Sequence, residues 1–233
     1  MHYLFLDESY VLGGGQTTII MAAWAVEQDR LNRHVQRLSD LFRPPVIEAI
    51  KVMLHSVDAQ AVIATARLDD NVYRQGEVDG TDDIPAMART DNAWSACSLF
   101  LVGALIKDVF ETGHDVGTVD VYFDPKSLKS QHAEALRGAL RELLVSEARR
   151  YASQRHSRFL RRLNIRRIEP VKKPTKGATP DKFQMGTWVA DKLCSHFLEL
   201  LRTTRDSRIR TYDMSDVVRK TVQQFDGKSF YQD

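Results

Sequence analysis

Apolar positions along the chain fall into two patterns, short runs that suit strands and longer stretches of helical spacing. Their alternation predicts a mixed α/β protein. Residues 2–7 (His2-Tyr3-Leu4-Phe5-Leu6-Asp7) and 17–26 (Thr17-Thr18-Ile19-Ile20-Met21-Ala22-Ala23-Trp24-Ala25-Val26) read as two strands joined through Gly13-Gly14-Gly15, an N-terminal hairpin. The second is apolar on both faces, as expected of a central strand covered by helices on each side. From about 28 to 42, Leu31, Val35, Leu38 and Leu41 or Phe42 recur at helical spacing, and Pro44-Pro45 ends that helix. Lys51-Val52-Met53-Leu54-His55 is a short apolar run that His55 finishes as a strand end. Val62 to Leu68 is a further strand, Thr118 to Asp124 a third strong one, and Leu163 to Ile168 an edge strand.

Between these lie a polar stretch at about 69–90, read as an exposed loop or lid, and helices from about 91 to 111, 129 to 152 and 181 to 201. Pro170 to Pro180 reads as a flexible basic loop. The tail from about 203 is polar, with a weak helical pattern from Val217 to Phe225. Neither an internal repeat nor a linker divides residues 1–233, so a single domain is expected.

Composition narrows the class. With 233 residues, 43% of them hydrophobic, the chain can bury a sizeable core. It holds no run near the roughly 18 apolar residues of a membrane span and no secretory leader pattern, so a cytoplasmic, membrane-free protein is expected. Cys97 and Cys194 are the only cysteines, both inside apolar helical patterns, and read as buried free thiols. The net charge of +2 conceals a segregation: Arg137 to Lys173 carries twelve Lys or Arg against three Glu. So dense a basic block attracts a phosphate backbone or another polyanion, unless it is only a solvated helical face.

Three acids stand where solvation is not the default. Asp7 and Asp124 each end an apolar strand, where a carboxylate is costly unless something positive holds it. Asp191 lies in a helix apolar on most of its circumference, with Gln184, Trp188 and Ser195 on its face, which sets it against the sheet. The bland alternatives are a solvated turn for Asp7 and Glu8 and an ion pair with Lys192 or an arginine for Asp191. Together the three acids can converge into an oxygen-rich site that suits Mg or Mn. Two such ions about 4 Å apart can activate water and stabilise the leaving oxygen of a phosphodiester. Glu8 ranks behind Asp7, since strand alternation turns it to the other face unless the chain has already bent. His55 either positions the attacking water or makes a local hydrogen bond. No GxxxxGK[ST], GxGxxG or GxSxG occurs, so nucleotide-cradling and serine-hydrolase chemistry lack their starting residues.

Tyr3-Leu4-Phe5-Leu6-Asp7-Glu8-Ser9, Leu54-His55-Ser56, Val121-Tyr122-Phe123-Asp124 and Phe183-Gln184-Met185 leading to Val189-Ala190-Asp191 follow one another along most of the chain. In this order they resemble the bacterial and phage ribonuclease H-like proteins of domain-of-unknown-function family 3800. Tyr10 departs from the family's usual glycine, and Gln184 lies further from Asp191 than in the compact family pattern. The resemblance implies a ribonuclease H-like α/β fold, a mixed central sheet with helices on both faces, and a metal site of Asp7, Asp124 and Asp191 with Glu8 close by.

The reading that follows is a divalent-metal-dependent nuclease or related phosphoryl-transfer enzyme acting on RNA or DNA. Asp7, Glu8, Asp124, Asp191 and His55 form its candidate catalytic set. Arg149, Arg150, Arg161, Arg162, Arg166, Arg167, Lys172, Lys173 and Lys176 are its candidate phosphate contacts. The alternative is a non-catalytic nucleic-acid-binding or partner-binding module of a defence or mobile-element system, indifferent to magnesium.

Overall fold

The first strand pair extends further than the hydrophobic runs imply. In the computed structural model, β1 (His2–Gly13) and β2 (Gln16–Glu27) form a hairpin of two 12-residue strands, in register from His2↔Glu27 to Gly13↔Gln16. The structure describes residues 1–13, 16–38, 46–69, 101, 103–105, 117–124, 142, 164–171, 179–202 and 206–225. After β2 come α1 (Gln28–Leu38), α2 (Val46–Ser56) and β3 (Gln60–Asp69). Further along are β4 (Thr118–Phe123), β5 (Asn164–Pro170), α3 (Lys182–Ser195), α4 (Phe197–Arg202), β6 (Ile209–Asp213) and α5 (Ser215–Phe225).

One six-stranded sheet runs β5-β4-β1-β2-β3-β6. β1, β2 and β3 are antiparallel neighbours, β4 lies parallel to β1, β5 parallel to β4, and β6 parallel to β3. The mixed central sheet expected from the sequence is therefore present, and both of its faces are covered. On one face Tyr3, Phe5, Ala22, Trp24, Ile63 and Tyr122 pack with Leu31 of α1, Ile50, Met53 and Leu54 of α2, and Met185, Val189, Ala190 and Leu193 of α3. On the other, Leu4, Leu6, Ile19, Met21, Val62, Val121 and Phe123 are equally buried, as are the helical residues Leu101 and Leu105. Continuous burial of Ile19 to Val26 is what a strand covered on both sides requires.

Three local expectations change. Lys51 to His55 is no strand end but the last turns of α2, because Ile47, Ile50, Met53 and Leu54 fall at helical spacing and bury one stripe. β1 does not stop at Asp7, because β2 offers it a partner through Gly13. Part of the polar tail joins the sheet: Ile209–Asp213 forms an edge strand whose outward side chains account for its low hydropathy, and Met214 and Val218 are buried beyond it. Asp69 closes β3, and the rest of the expected lid at 69–90, most of the helices at 91–111 and 129–152, and Cys97 lie outside the described residues. Among the described residues no helix is long and apolar enough to cross a membrane.

Candidate functional site

The β1–β4 ladder ends at Leu6↔Phe123, so Asp7 and Asp124 each follow directly on the last paired residue of that ladder. Adjacent strands put their backbones roughly 5 Å apart. Asp7 is 2% exposed and shares a face with Tyr3 and Phe5, the face that α3 covers. Glu8, 6% exposed, opposes Met21 and lies on the Leu4–Leu6 face, since β1 continues without a bend. Its amide donates to Asp7 Oδ1 at 2.8 Å.

α3 begins with a capping box. Asp181 Oδ1 accepts the amides of Phe183 and Gln184, each at 2.8 Å, and Gln184 Oε1 accepts the amide of Asp181 at 2.9 Å. Gln184 thus closes the cap. One turn on, Gly186 rests on the Phe5 ring so closely that a Cβ would overlap Cε1, Cζ and Cδ1. The buried Trp24 indole donates from Nε1 to the Gly186 carbonyl at 2.7 Å. Near the other end, Cys194 Sγ donates to the Asp7 carbonyl at 3.1 Å, and the Ala22 backbone hydrogen-bonds the same sulfur. Cys194 is the buried free thiol expected. Burial, and after it the carboxylates of Asp7, Glu8 and Asp191, push its pKa well up and keep it a donor.

Asp191 is not set against the sheet. That face of α3 belongs to Gly186, Val189, Ala190, Leu193 and Cys194, whereas Trp188 and Ser195 are exposed and the Asp191 side chain is 34% exposed. Its Oδ2 accepts from Lys192 Nζ at 3.1 Å. The structure therefore brings Asp7, Glu8 and Asp191 within electrostatic reach of one thiol, while Asp124 follows the last residue that β4 pairs with β1. Among the described residues no three His, Cys, Asp or Glu side chains form a group able to hold a metal. Carboxylate oxygens are the donors that Mg or Mn prefers.

His55 is not part of this cluster. It lies on the last turn of α2, 52% exposed, with Nε2 3.2 Å from Asp206 Oδ1, at the end of the sheet where β3 and β6 begin. Arg166 is engaged elsewhere too: its Nε and a terminal amine fork Asp120 at 2.9 and 2.5 Å, although its own side chain is 45% exposed. The fully buried Asp120 escaped the sequence reading. The signal was available, because Asp120, Tyr122 and Asp124 alternate onto one face of a strand buried on both sides, where an acid needs a partner. Burial first and the Asp120 carboxylate second hold the Tyr122 phenol protonated far above its ordinary range. Arg167 is exposed on β5. Arg149, Arg150, Arg161, Arg162, Lys172, Lys173 and Lys176 lie outside the described residues.

No family model matches the chain, and no curated protein matches it. Among solved structures, a chain in the structure of the PCNA:RNase HII complex from Archaeoglobus fulgidus is similar at a TM-score of 0.40 and 12% identity, over 97% of this chain and 88% of that one.

Proposed function

We propose that this chain is a divalent-metal-dependent nuclease or related phosphoryl-transfer enzyme acting on RNA or DNA. The observation that carries this reading is that Asp7 and Asp124 each follow directly on the last residue pair of the parallel β1–β4 ladder. Both carboxylates would hold the ion and Asp191 would reach in from α3 on parting from Lys192, whereas Glu8 is turned to the opposite face of β1. Bound Mg or Mn would supply water activation and charge neutralisation at a phosphodiester. The chain's own residues do the rest. The dense positive charge between Arg137 and Lys173, including Arg149, Arg150, Arg161, Arg162, Arg167, Lys172 and Lys173, together with Lys176 just beyond it, draws the phosphate backbone by charge without reading bases. Arg166 is engaged by Asp120 and His55 by Asp206.

The test is incubation of the purified protein with labelled single- and double-stranded RNA, DNA and hybrid, in manganese or EDTA. Asp7→Asn and Asp191→Ala run alongside. Cleavage is expected with manganese, none with EDTA, and a loss of at least about a hundredfold in Asp7→Asn. Equal cleavage by wild type and Asp7→Asn would overturn the site. One observation favours the alternative of a binding module, namely the existing Asp191–Lys192 pair. That reading predicts salt-sensitive binding unaffected by EDTA or by Asp7→Asn.

A further inference from the structure

We propose that β6 and α5 form a detachable latch on the edge of the sheet, closed by the ion pairs of Asp58 and opened by salt while the strands inside it stay paired. The inference stands apart from the metal-dependent reading above, since it uses neither Asp7, Asp124 nor Asp191.

β6 is the outermost strand on its side of the sheet and pairs with β3. None of its five residues is buried, whereas Ala61 to Ala64 of β3 are each no more than 1% exposed. Ile209 rests partly on the core, and the two buried side chains that follow, Met214 and Val218, hold α5. Backbone bonds complete the seam: the Ala61 amide donates to the Arg208 carbonyl at 2.8 Å and the Met214 amide to the Thr65 carbonyl at 2.7 Å. Lifting residues 206–225 away therefore uncovers little apolar surface. A segment so attached opens at a lower free energy than the strands of the core.

Charge pins the start of this segment. Asp58 takes a left-handed φ of 52°, which glycine adopts without strain and most side chains do not. An aspartate there calls for a reason beyond the turn. Its carboxylate receives Nη1 of Arg30 at 2.7 Å and pairs with Arg208, the residue that leads into β6. One acid thus ties α1 and the entry to β6 to the turn after α2. His55, on the last turn of α2, adds a second tie with Nε2 3.2 Å from Asp206 Oδ1. The Asp58 and Arg208 side chains are 29% and 23% exposed, and ion pairs that reach solvent weaken as salt rises. The far end depends on hydrogen bonds instead. Ser215 Oγ accepts the Arg67 amide at 3.0 Å and donates to Asp213 Oδ1 at 2.6 Å.

The experiment is amide hydrogen exchange on the full chain, resolved by peptide mass, in about 0.1 M and about 1 M sodium chloride. In low salt, residues 206–225 are expected to exchange at least about a hundredfold faster than β1 and β2. High salt is expected to speed them about fivefold further and to leave β1 and β2 unchanged. Asp58→Asn removes the charge and keeps a side chain that tolerates a positive φ. It is expected to exchange residues 206–225 about fivefold faster than wild type in low salt and to lose most of the salt response. Arg208→Met, which spares the Arg30 pair, is expected to move in the same direction. Exchange of residues 206–225 at the rate of β1 and β2 would overturn the proposal, because the segment would then open only with the whole fold. An equal salt response in wild type and both variants would also overturn it, since Asp58 would not be what salt acts on. If Asp58→Asn does not fold, Arg208→Met decides by the same criteria.

Discussion

Asp120 is the deepest carboxylate described, and it is held by an arginine that is itself half in solvent and by the Tyr122 hydroxyl, which donates at 3.5 Å. Removing one member of a buried pair leaves the other charge without compensation, while replacing both with apolar groups can be neutral. Arg166→Ala is therefore expected to lower the melting temperature more than the double change Arg166→Met with Asp120→Leu, measured by calorimetry. If instead Arg166→Ala leaves stability alone and lowers nucleic-acid affinity, the arginine is a phosphate contact after all. The strand-end acids were legible in the sequence because an acid that closes an apolar run is conspicuous. Asp120 was not, because a polar residue inside an alternating strand looks solvated until both faces prove covered. Asp191 was misjudged for a related reason: helical periodicity shows which residues share a face, but not which face meets the sheet. Gly186 decided that, and its meaning emerges only with Phe5 beneath it.

Among the elements, α3 carries most of the consequences, and its start is specified locally. Asp181 and Gln184 satisfy each other's ends of the chain, so Asp181→Ala is expected to cost about 1 kcal/mol, measured by denaturant unfolding. A cost near zero would mean that packing on β1 alone sets where the helix begins. The N-terminal hairpin, β3, β4, β5 and α3 all answer to recognisable sequence patterns. The two elements read wrongly, α2 and β6, failed for opposite reasons. The apolar stripe of α2 was judged on its last five residues, too short a window to separate helix from strand. β6 is a polar edge strand, and its membership depends on β3 offering an open side rather than on its own hydrophobicity.

Across the whole molecule, the end of the sheet remote from Asp7 is tied by charge. Asp58, at a positive φ of 52°, receives Arg30 of α1 at 2.7 Å and pairs with Arg208 just before β6, while Asp206 meets His55. Burial raises the Asp58 pKa, but the Arg208 and Arg30 guanidiniums outweigh it and hold the carboxyl below its ordinary range. A depressed carboxylate contributes stability above its unfolded pKa and loses it as pH falls through the folded one. Melting temperature is thus expected to fall as pH drops below about 4, and less so in Asp58→Asn, read from thermal scans across that range. Equal acid sensitivity in both proteins would remove Asp58 from the account.

The pairing of β1 with β4, and of β1 with α3, also governs when the candidate site comes into being. The three-stranded meander is complete within the first 69 residues, yet the neighbour of Asp7 arrives with residue 124 and the clasp on its carbonyl only with residue 194. A ribosome makes the chain in that order, and contacts so distant in sequence close slowly. Nascent chains shorter than that carry Asp7 and Glu8 without Asp124 and Asp191 both in place. Any activity that depends on them switches on only after most of the protein has been synthesised.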